Sequence, residues 1–323
     1  MQQIPSVNIP SSEDFRSIGG PASRDNCGRR VDEYLAKNYP FLSRAGWQKR
    51  IEKGEVLVSG RKVRVSYGLR EGDTIHYYHP REHEPEADMN VKVIYEEKGV
   101  LCAYKPPDLP MHENGKYRKN TFFEAIKTVA GKEWAAVHRL DRETSGVVVC
   151  GATYEIRRAL TQQVMDRKFK KEYLAICQGV AAEDDWYLDA PLGKLKTSAI
   201  RIKNWVVEDG DEAQTQFVVE KRAANHTMLR AMPLTGRTNQ IRIHAAYGGL
   251  PIVGDKLYHN DEAVFLDYFE NGVTDFVIEK TGHTRCCLHA AVISFVHPET
   301  KERLTVESEM ADDMKEVWEK LTV

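Results

Sequence analysis

The sequence predicts an α+β protein in two parts, a small basic module ahead of a large sheet-rich domain. Three observations lead there. The chain has 323 residues, enough for one large domain and one small one. Charge is segregated: residues 28–65 hold ten Lys or Arg against four Asp or Glu, a net +6 on a chain whose formal total is −2. Past a polar, proline-bearing break at residues 79–90, short apolar runs of strand character alternate with stretches of helical period.

Composition narrows the class. With a formal charge of −2 and a sequence pI of about 6.6, nucleic-acid affinity must come from local basic surfaces rather than from the whole-molecule field. Six cysteines (Cys27, Cys102, Cys150, Cys177, Cys286 and Cys287) are scattered without a Cys-x-x-Cys pair and read as thiols in a reducing compartment. No stretch approaches the ~20 apolar residues of a membrane helix, and the N-terminus lacks a basic start followed by an apolar core. A cytoplasmic protein is expected.

Residues 1–26 carry Pro5, Pro10 and Pro21 and no sustained periodicity, which predicts a flexible tail. Residues 27–78 form the small module. Val31, Tyr34 and Leu35 fall at helical spacing, Ser43 can cap a second helix on which Trp47 and Ile51 share a face, and Val56/Val58 and Val63/Val65 alternate about a Ser59-Gly60 turn. Two helices and a hairpin result. Residues 79–90, with Pro80 and Pro85, read as a linker. Histidines 76, 79 and 83 gather there, but Pro80 prevents a regular helix and no ligand set is completed, so no metal is expected.

The large domain takes residues 91–323. Residues 91–95 and 100–104 read as strands, 121–129 as a helix, and Val147–Cys150, bounded by glycines, as a buried strand. Ile156, Leu160 and Val164 mark a helix whose other faces carry Arg157, Arg158, Arg167 and Lys168; with Lys170 and Lys171 these make a second basic surface, or simply a helix's wet side. Phe169, Lys171, Tyr173, Ala175 and Cys177 share a strand face. Residues 184–216 are weakly patterned, 217–232 suggest a hairpin, Thr238 or Asn239 can cap a following helix, and 311–321 close with a helix.

The polar stretch 138–146 before the buried strand becomes a loop held over a sheet. It offers a carboxylate, Asp141, two residues from Arg139, with Thr144, Ser145 and Gly146 able to make a tight turn behind it. Asp141 there is a nucleophile or merely a turn-capping residue, and the loop alone leaves both open. A Walker loop and a dinucleotide glycine fingerprint are missing from the sequence. His283, Cys286, Cys287 and His289 make a poor zinc set, since adjacent cysteines alternate between strand faces.

His138-Arg139-Leu140-Asp141-Arg142-Glu143-Thr144-Ser145-Gly146 resembles the signature loop of the RluA-type RNA pseudouridine synthases. Lys105–His112 is similar to that family's Lys-Pro-x-Gly-Leu-x-x-His segment, with Asp108 where glycine is usual. Lys171–Ala175 resembles its tyrosine motif, and Gly236–His244 its Gly-Arg-Thr-His-Gln-Ile-Arg-x-His motif, with Asn239 in place of histidine. Residues 251–258 and 288–298 also resemble family segments, so the likeness spans nearly all of 91–310. In the small module, Arg30-Val31-Asp32 and Gly54–Gly60 look like an S4 RNA-binding domain.

The resemblance implies a mostly antiparallel sheet with a central cleft, preceded by a small α/β S4-like domain. It implies Asp141 as nucleophile, Tyr173 packed on the target base and relaying the C5 proton, and Arg242 paired with Asp141. Arg139, filling the space a flipped base vacates, would bind substrate together with Thr144, Arg237, Gln240 and Leu288. Arg29, Arg30, Arg44, Lys49, Arg50, Arg61, Lys62 and Arg64 would meet RNA. Forming pseudouridine exchanges a carbon–nitrogen glycosidic bond for a carbon–carbon one without net change of atoms, so no cofactor is expected. The expected partner is RNA, ribosomal first and transfer RNA still open, met by a monomer. Two other readings stand beside this one: a non-catalytic RNA-binding or ribosome-assembly factor, and a glycoside hydrolase using Asp141 and Glu143 as a pair.

Overall fold

The computed structural model describes residues 15–22, 24–40, 42–80, 84–131, 134–198 and 200–322. They fall into two compact units, Met1–Glu84 and Pro85–Val323.

In the first unit the elements run β1 (Phe15–Pro21), α1 (Val31–Asn38), α2 (Arg44–Glu52), β2 (Val56–Val58), β3 (Arg61–Lys62) and β4 (Thr74–Pro80). The strands form one antiparallel sheet in the order β1-β4-β2-β3. Val31, Tyr34 and Leu35 of α1 and Trp47 and Ile51 of α2 are buried against Val56, Val58, Ile75 and Tyr77. Trp47 meets Tyr77 edge-on with ring centroids 4.9 Å apart. Ser43 caps α2 by accepting from the Gly46 amide at 3.1 Å. β3 is shorter than the expected alternation, and Val63 and Val65 pack beside the core from outside a strand.

The flexible tail is corrected over part of its length. Phe15–Pro21 is a strand paired along its whole length with β4, from Phe15 opposite Pro80 to Pro21 opposite Thr74. Backbone pairing to a partner nearly sixty residues away makes this strand, and Gly19, Gly20 and Pro21 hide it from composition. Residues 1–14 of that tail and His83 of the histidine group lie outside the described residues.

The second unit continues with β5 (Lys92–Glu97), β6 (Val100–Lys105), α3 (Phe122–Ala130), β7 (Ala135–Ala136), β8 (Ser145–Gly151), α4 (Tyr154–Met165), β9 (Lys170–Gln178), β10 (Asp185–Asp189), β11 (Leu192–Lys194), β12 (Asn204–Val206), β13 (Gln214–Arg222) and β14 (His226–Pro233). It closes with α5 (Gln240–Tyr247), α6 (Glu262–Asn271), α7 (Asp275–Thr281), β15 (Leu288–Val296), β16 (Arg303–Glu307) and α8 (Asp312–Thr322). The main sheet has the order β10-β13-β14-β9-β15-β8-β6-β5, with β16 on β15 and β7 on β8. Its pairs are antiparallel except β15 with β8, so the sheet is mostly antiparallel.

The valine run is explained by two-sided burial. In β8, Val148 and Cys150 face one core with Leu101 and Ala103 of β6, while Val147 and Val149 face another with Ile156 and Leu160 of α4. Gly146, at φ +117°, lets β8 start against β15: a Cβ there would sit 2.2 Å from the Ala290 carbonyl oxygen. Weakly patterned residues 184–216 hold the exposed strand β10 and the two-stranded ribbon β11-β12. Helices α6 and α7 fill a stretch for which the sequence suggested no element.

Candidate active site

Strand β8 begins where the 138–144 loop ends, so whatever fixes the loop's backbone aims its side chains. Asp141 opens a tight turn, its carbonyl accepting from the Thr144 amide at 3.1 Å. The buried Lys105 ammonium donates to the carbonyls of Pro106 (2.8 Å), Leu109 (2.8 Å) and Arg142 (2.9 Å), and Arg285 donates to the Glu143 carbonyl at 3.1 Å. The chain on both sides of this anchor is thus held by buried side-chain donors, of which burial pushes the Lys105 amine down to about 7. Asp108 has φ +56°, the conformation in which glycine is usual, so the turn before the site is kept.

Asp141 opens on a cavity of about 290 Å³ lined also by His138, Arg139, Thr144, Lys171, Tyr173, Arg237, Gln240, Arg242 and Leu288. Every residue expected from the sequence as catalytic or substrate-binding therefore meets at one place, from the 138–144 loop, β9, the loop after β14, α5 and the start of β15. Arg242 Nη1 reaches Asp141 Oδ2 at 3.3 Å across 101 residues of sequence. Tyr173, 9% exposed, rises from β9 beside them. Burial, then the charge of Asp141, pushes its phenol well above the ordinary tyrosine range, so Tyr173 keeps its proton at neutral pH.

The other expected residues differ in how free they are. Arg139 and Arg237 are exposed on the rim, Arg237 also donating to the Glu212 carbonyl at 2.9 Å. Thr144 and Leu288 are buried wall. Gln240 is committed: its oxygen accepts from Thr235 (2.7 Å) and the Arg237 amide (3.1 Å), and its amide donates to the Gln214 carbonyl (2.8 Å) and Thr215 (2.9 Å). It shapes the wall.

Asn239 does not cap α5, correcting the expected capping there. Its backbone is left-handed at φ +58°, and it makes no side-chain cap bond. Its amide donates instead to Tyr258 Oη at 3.0 Å, and its oxygen accepts from Arg242 Nη1 at 3.2 Å. Sequence reasoning missed Asp255, whose carboxylate grips Arg242 at 2.6 and 2.8 Å. Its signal was Gly254-Asp255 within a segment of family likeness that had been given no role.

Glu143, the nearby rival acid, does not line the cavity. Its carboxylate takes Lys256 at 2.8 Å, Arg142 at 3.0 Å and the Cys286 amide at 2.8 Å. Burial acts to raise its pKa, but these donors outweigh it and hold the group below the usual range. Two carboxylates facing across the cavity, which the hydrolase reading needs, are therefore not what Asp141 and Glu143 form.

The tempting zinc set is dispersed: His283 faces Asp313, while the His289 ring lies between Ser145 and the Ser308 carbonyl. Among the described residues no cluster of three or more His, Cys, Asp or Glu could hold a metal ion, and no helix is long and apolar enough to cross a membrane.

The expected RNA-facing cations of the small unit divide in two. Arg30 and Arg44 bind the buried Asp32 carboxylate at 3.0 and 2.9 Å, and Arg50 binds Glu55 at 2.9 Å. Lys49, Arg61, Lys62 and Arg64 are exposed and Arg29 half-buried, and among the described residues none of the five has a carboxylate partner. The second basic surface is largely self-paired: Arg157 donates to the carbonyls of Gly151 and Ala152, Arg167 binds Glu212, and Lys168 binds Asp166.

Comparison with known proteins finds relatives of both units. Residues 99–247 match the model of the RNA pseudouridylate synthase family, and residues 29–75 match the S4 domain. The chain is 33% identical over 303 residues to a ribosomal large subunit pseudouridine synthase D of Xanthomonas campestris, covering 91% of this chain and 89% of that protein. It is 31% identical to a ribosomal large subunit pseudouridine synthase C of Escherichia coli K12, covering 92% and 94%. Among solved structures, human RNA pseudouridylate synthase domain containing 1 shares the fold with a TM-score of 0.57 at 21% identity, covering 70% of this chain and 85% of that one.

Proposed function

This chain belongs to the RNA pseudouridylate synthase family, and on that footing we propose that it isomerises uridines of large-subunit ribosomal RNA with Asp141 as the nucleophile. The observation that carries the reading is the meeting of Asp141, Arg242 and Tyr173 in one cavity.

A buried target base must first leave its stack, at a cost of a few kcal/mol, and Arg139 on the rim can occupy the vacated space and offset that cost. The sugar then lies over Asp141. Attack of a carboxylate oxygen on C1′ breaks the C1′–N1 bond, whose electron pair leaves on the uracil. The detached ring turns while held against Tyr173. C5 next bonds to C1′ and displaces the carboxylate, the C5 proton is lost, and N1 ends protonated, so atoms balance with no outside reactant. Tyr173 keeps its proton, so it serves as a face for the ring and as a relay that gains one proton as it gives up another. Arg242 stays cationic because Asp255 and Asp141 outweigh the burial that would lower its pKa, and it aims Asp141 from one side.

Affinity would come from phosphates met by Arg29, Lys49, Arg61, Lys62 and Arg64, with RNA shape and splayed loop bases choosing the site. Mapping pseudouridines in ribosomal RNA from cells with and without this protein tests the reading. At least one large-subunit site should vanish without it and return with the wild-type chain but not with Asp141→Asn. An unchanged large-subunit map would overturn it.

A further inference from the structure

Lys171 and Tyr173 stand on one face of β9, roughly 6.5 Å apart along the strand, and both line the cavity beside Asp141. Among the described residues the Lys171 ammonium has no hydrogen-bond or ionic partner. Burial pushes its pKa down. Its neighbour Glu172 is committed on the other face of the strand, where it takes Arg230 at 2.7 Å. His138 offers no acceptor either: its Nε2 already accepts from the Val149 amide at 3.0 Å, so its other nitrogen carries the proton. Burial, then the Lys171 charge, pushes that ring down to about 3.

The other cations of the cavity are placed differently. Arg242 is gripped by Asp255, Arg237 donates to the Glu212 carbonyl and lies 3.7 Å from Asp211, and Arg139 is exposed on the rim. Of the cations lining the cavity, Lys171 alone is, among the described residues, both withdrawn from solvent and without a partner. An ammonium so placed costs free energy, because it gives up water and gains no opposite charge. An entering anion would remove that cost.

We propose that Lys171 binds a backbone phosphate flanking the target uridine once that nucleotide has flipped, and so holds its C1′ over Asp141. This rests on Asp141 being the nucleophile toward a flipped uridine. With the base against Tyr173 and the sugar over Asp141, the phosphodiester on that sugar carries the permanent charge of the substrate, one strand step from the base. A lysine ammonium is a compact point charge that meets a phosphate oxygen without the planar match an arginine demands, which suits a group arriving by rotation. The contact forms only with the uridine flipped. It therefore acts on flipping and alignment, whereas docking of the RNA is left to the exposed cations of the small unit.

The test uses the full chain and synthetic RNA hairpins of the large-subunit segment whose uridine is identified by pseudouridine mapping, with product read by chromatography of the digested RNA. The phosphate on either side of the target uridine is replaced in turn by an uncharged methylphosphonate. Each such linkage carries 2′-deoxyribose on its 5′ side for chemical stability and is compared with the matching 2′-deoxy phosphate RNA. For the wild type, kcat/KM should fall about tenfold at one of the two positions. Lys171→Met keeps the aliphatic stem and loses the charge; it should fall about tenfold on the phosphate RNA and no further at that position, with RNA affinity within about twofold of the wild type. Lys171→Gln serves if Lys171→Met does not fold. Packing of the stem alone would spare Lys171→Met and leave the wild type indifferent to both methylphosphonates, and either result overturns the proposal. So does a further tenfold loss by the variant at the position where the wild type loses. Asp141→Asn separates the two ideas: pseudouridine formed by that variant would sink the nucleophile reading itself, whereas failure at Lys171 would leave it standing.

Discussion

Asp32 in the small unit and Asp141 in the large one are both aspartates beside arginine, and their surroundings are opposite. The Asp32 side chain is 0% exposed and accepts from Arg30 at 3.0 Å, Arg44 at 2.9 Å and Gln48 at 2.8 Å. Burial alone would raise its pKa, but the three donors outweigh that and hold it well below the usual carboxylate range. Asp141 is 32% exposed on a cavity, and among the described residues its carboxylate bonds a single side chain, Arg242 at 3.3 Å. Saturated lone pairs mark a carboxylate that holds the fold, whereas open ones mark a carboxylate that can accept a carbon atom. Glu143, two residues from Asp141, repeats the first pattern.

Changes at three places probe that contrast. Asp141→Glu keeps the charge but moves it by one methylene, and tritium release from a large-subunit ribosomal RNA transcript labelled at uridine C5 should fall about 100-fold with thermal unfolding unchanged. Near-normal release would mean that geometry at Asp141 does not matter. Asp32→Ala should do the reverse, destabilising the small unit by about 2 kcal/mol, less than a fully buried pair because Arg30 and Arg44 reach solvent. The pH dependence carries a sign. A carboxyl whose pKa is depressed on folding contributes stability that is present above the unfolded value of about 4 and lost as pH falls below it. The unfolding temperature of the small unit should therefore drop as pH falls below about 5 and go on dropping past pH 3, and Asp32→Asn should flatten that drop. Last and smallest, replacing Arg61, Lys62 and Arg64 together by Gln should weaken RNA binding about tenfold and reduce the slope of log affinity against log salt by about 2, leaving kcat unchanged. An unchanged slope would remove these cations from the RNA surface.

Much of this was legible in residues. Two-sided burial of β8 follows from an unbroken valine run, and Val31, Tyr34 and Leu35 announce α1 by spacing. The Asp141 loop shows as polarity abutting that run. What stayed hidden depends on partners far along the chain. β1 exists through its pairing with β4, β10 shows only weak alternation at an exposed sheet edge, and α6 and α7 were not read at all. At the site, family likeness rather than spacing brought Arg242 to Asp141, since 101 residues separate them. Asp255 had no signal of its own beyond Gly254-Asp255, because its role appears only once Arg242 has turned toward it. Asn239 was one of two candidate caps beside Thr238, and its left-handed backbone instead turns its side-chain nitrogen to Tyr258 and its oxygen to Arg242.

The most direct test is tritium release by Asp141→Asn, a change of one oxygen for nitrogen, measured on the labelled transcript beside RNA affinity and thermal unfolding of the same preparation. An open carboxylate that forms a bond to C1′ predicts no release above background, with affinity and unfolding those of the wild type. Release at the wild-type rate would contradict it.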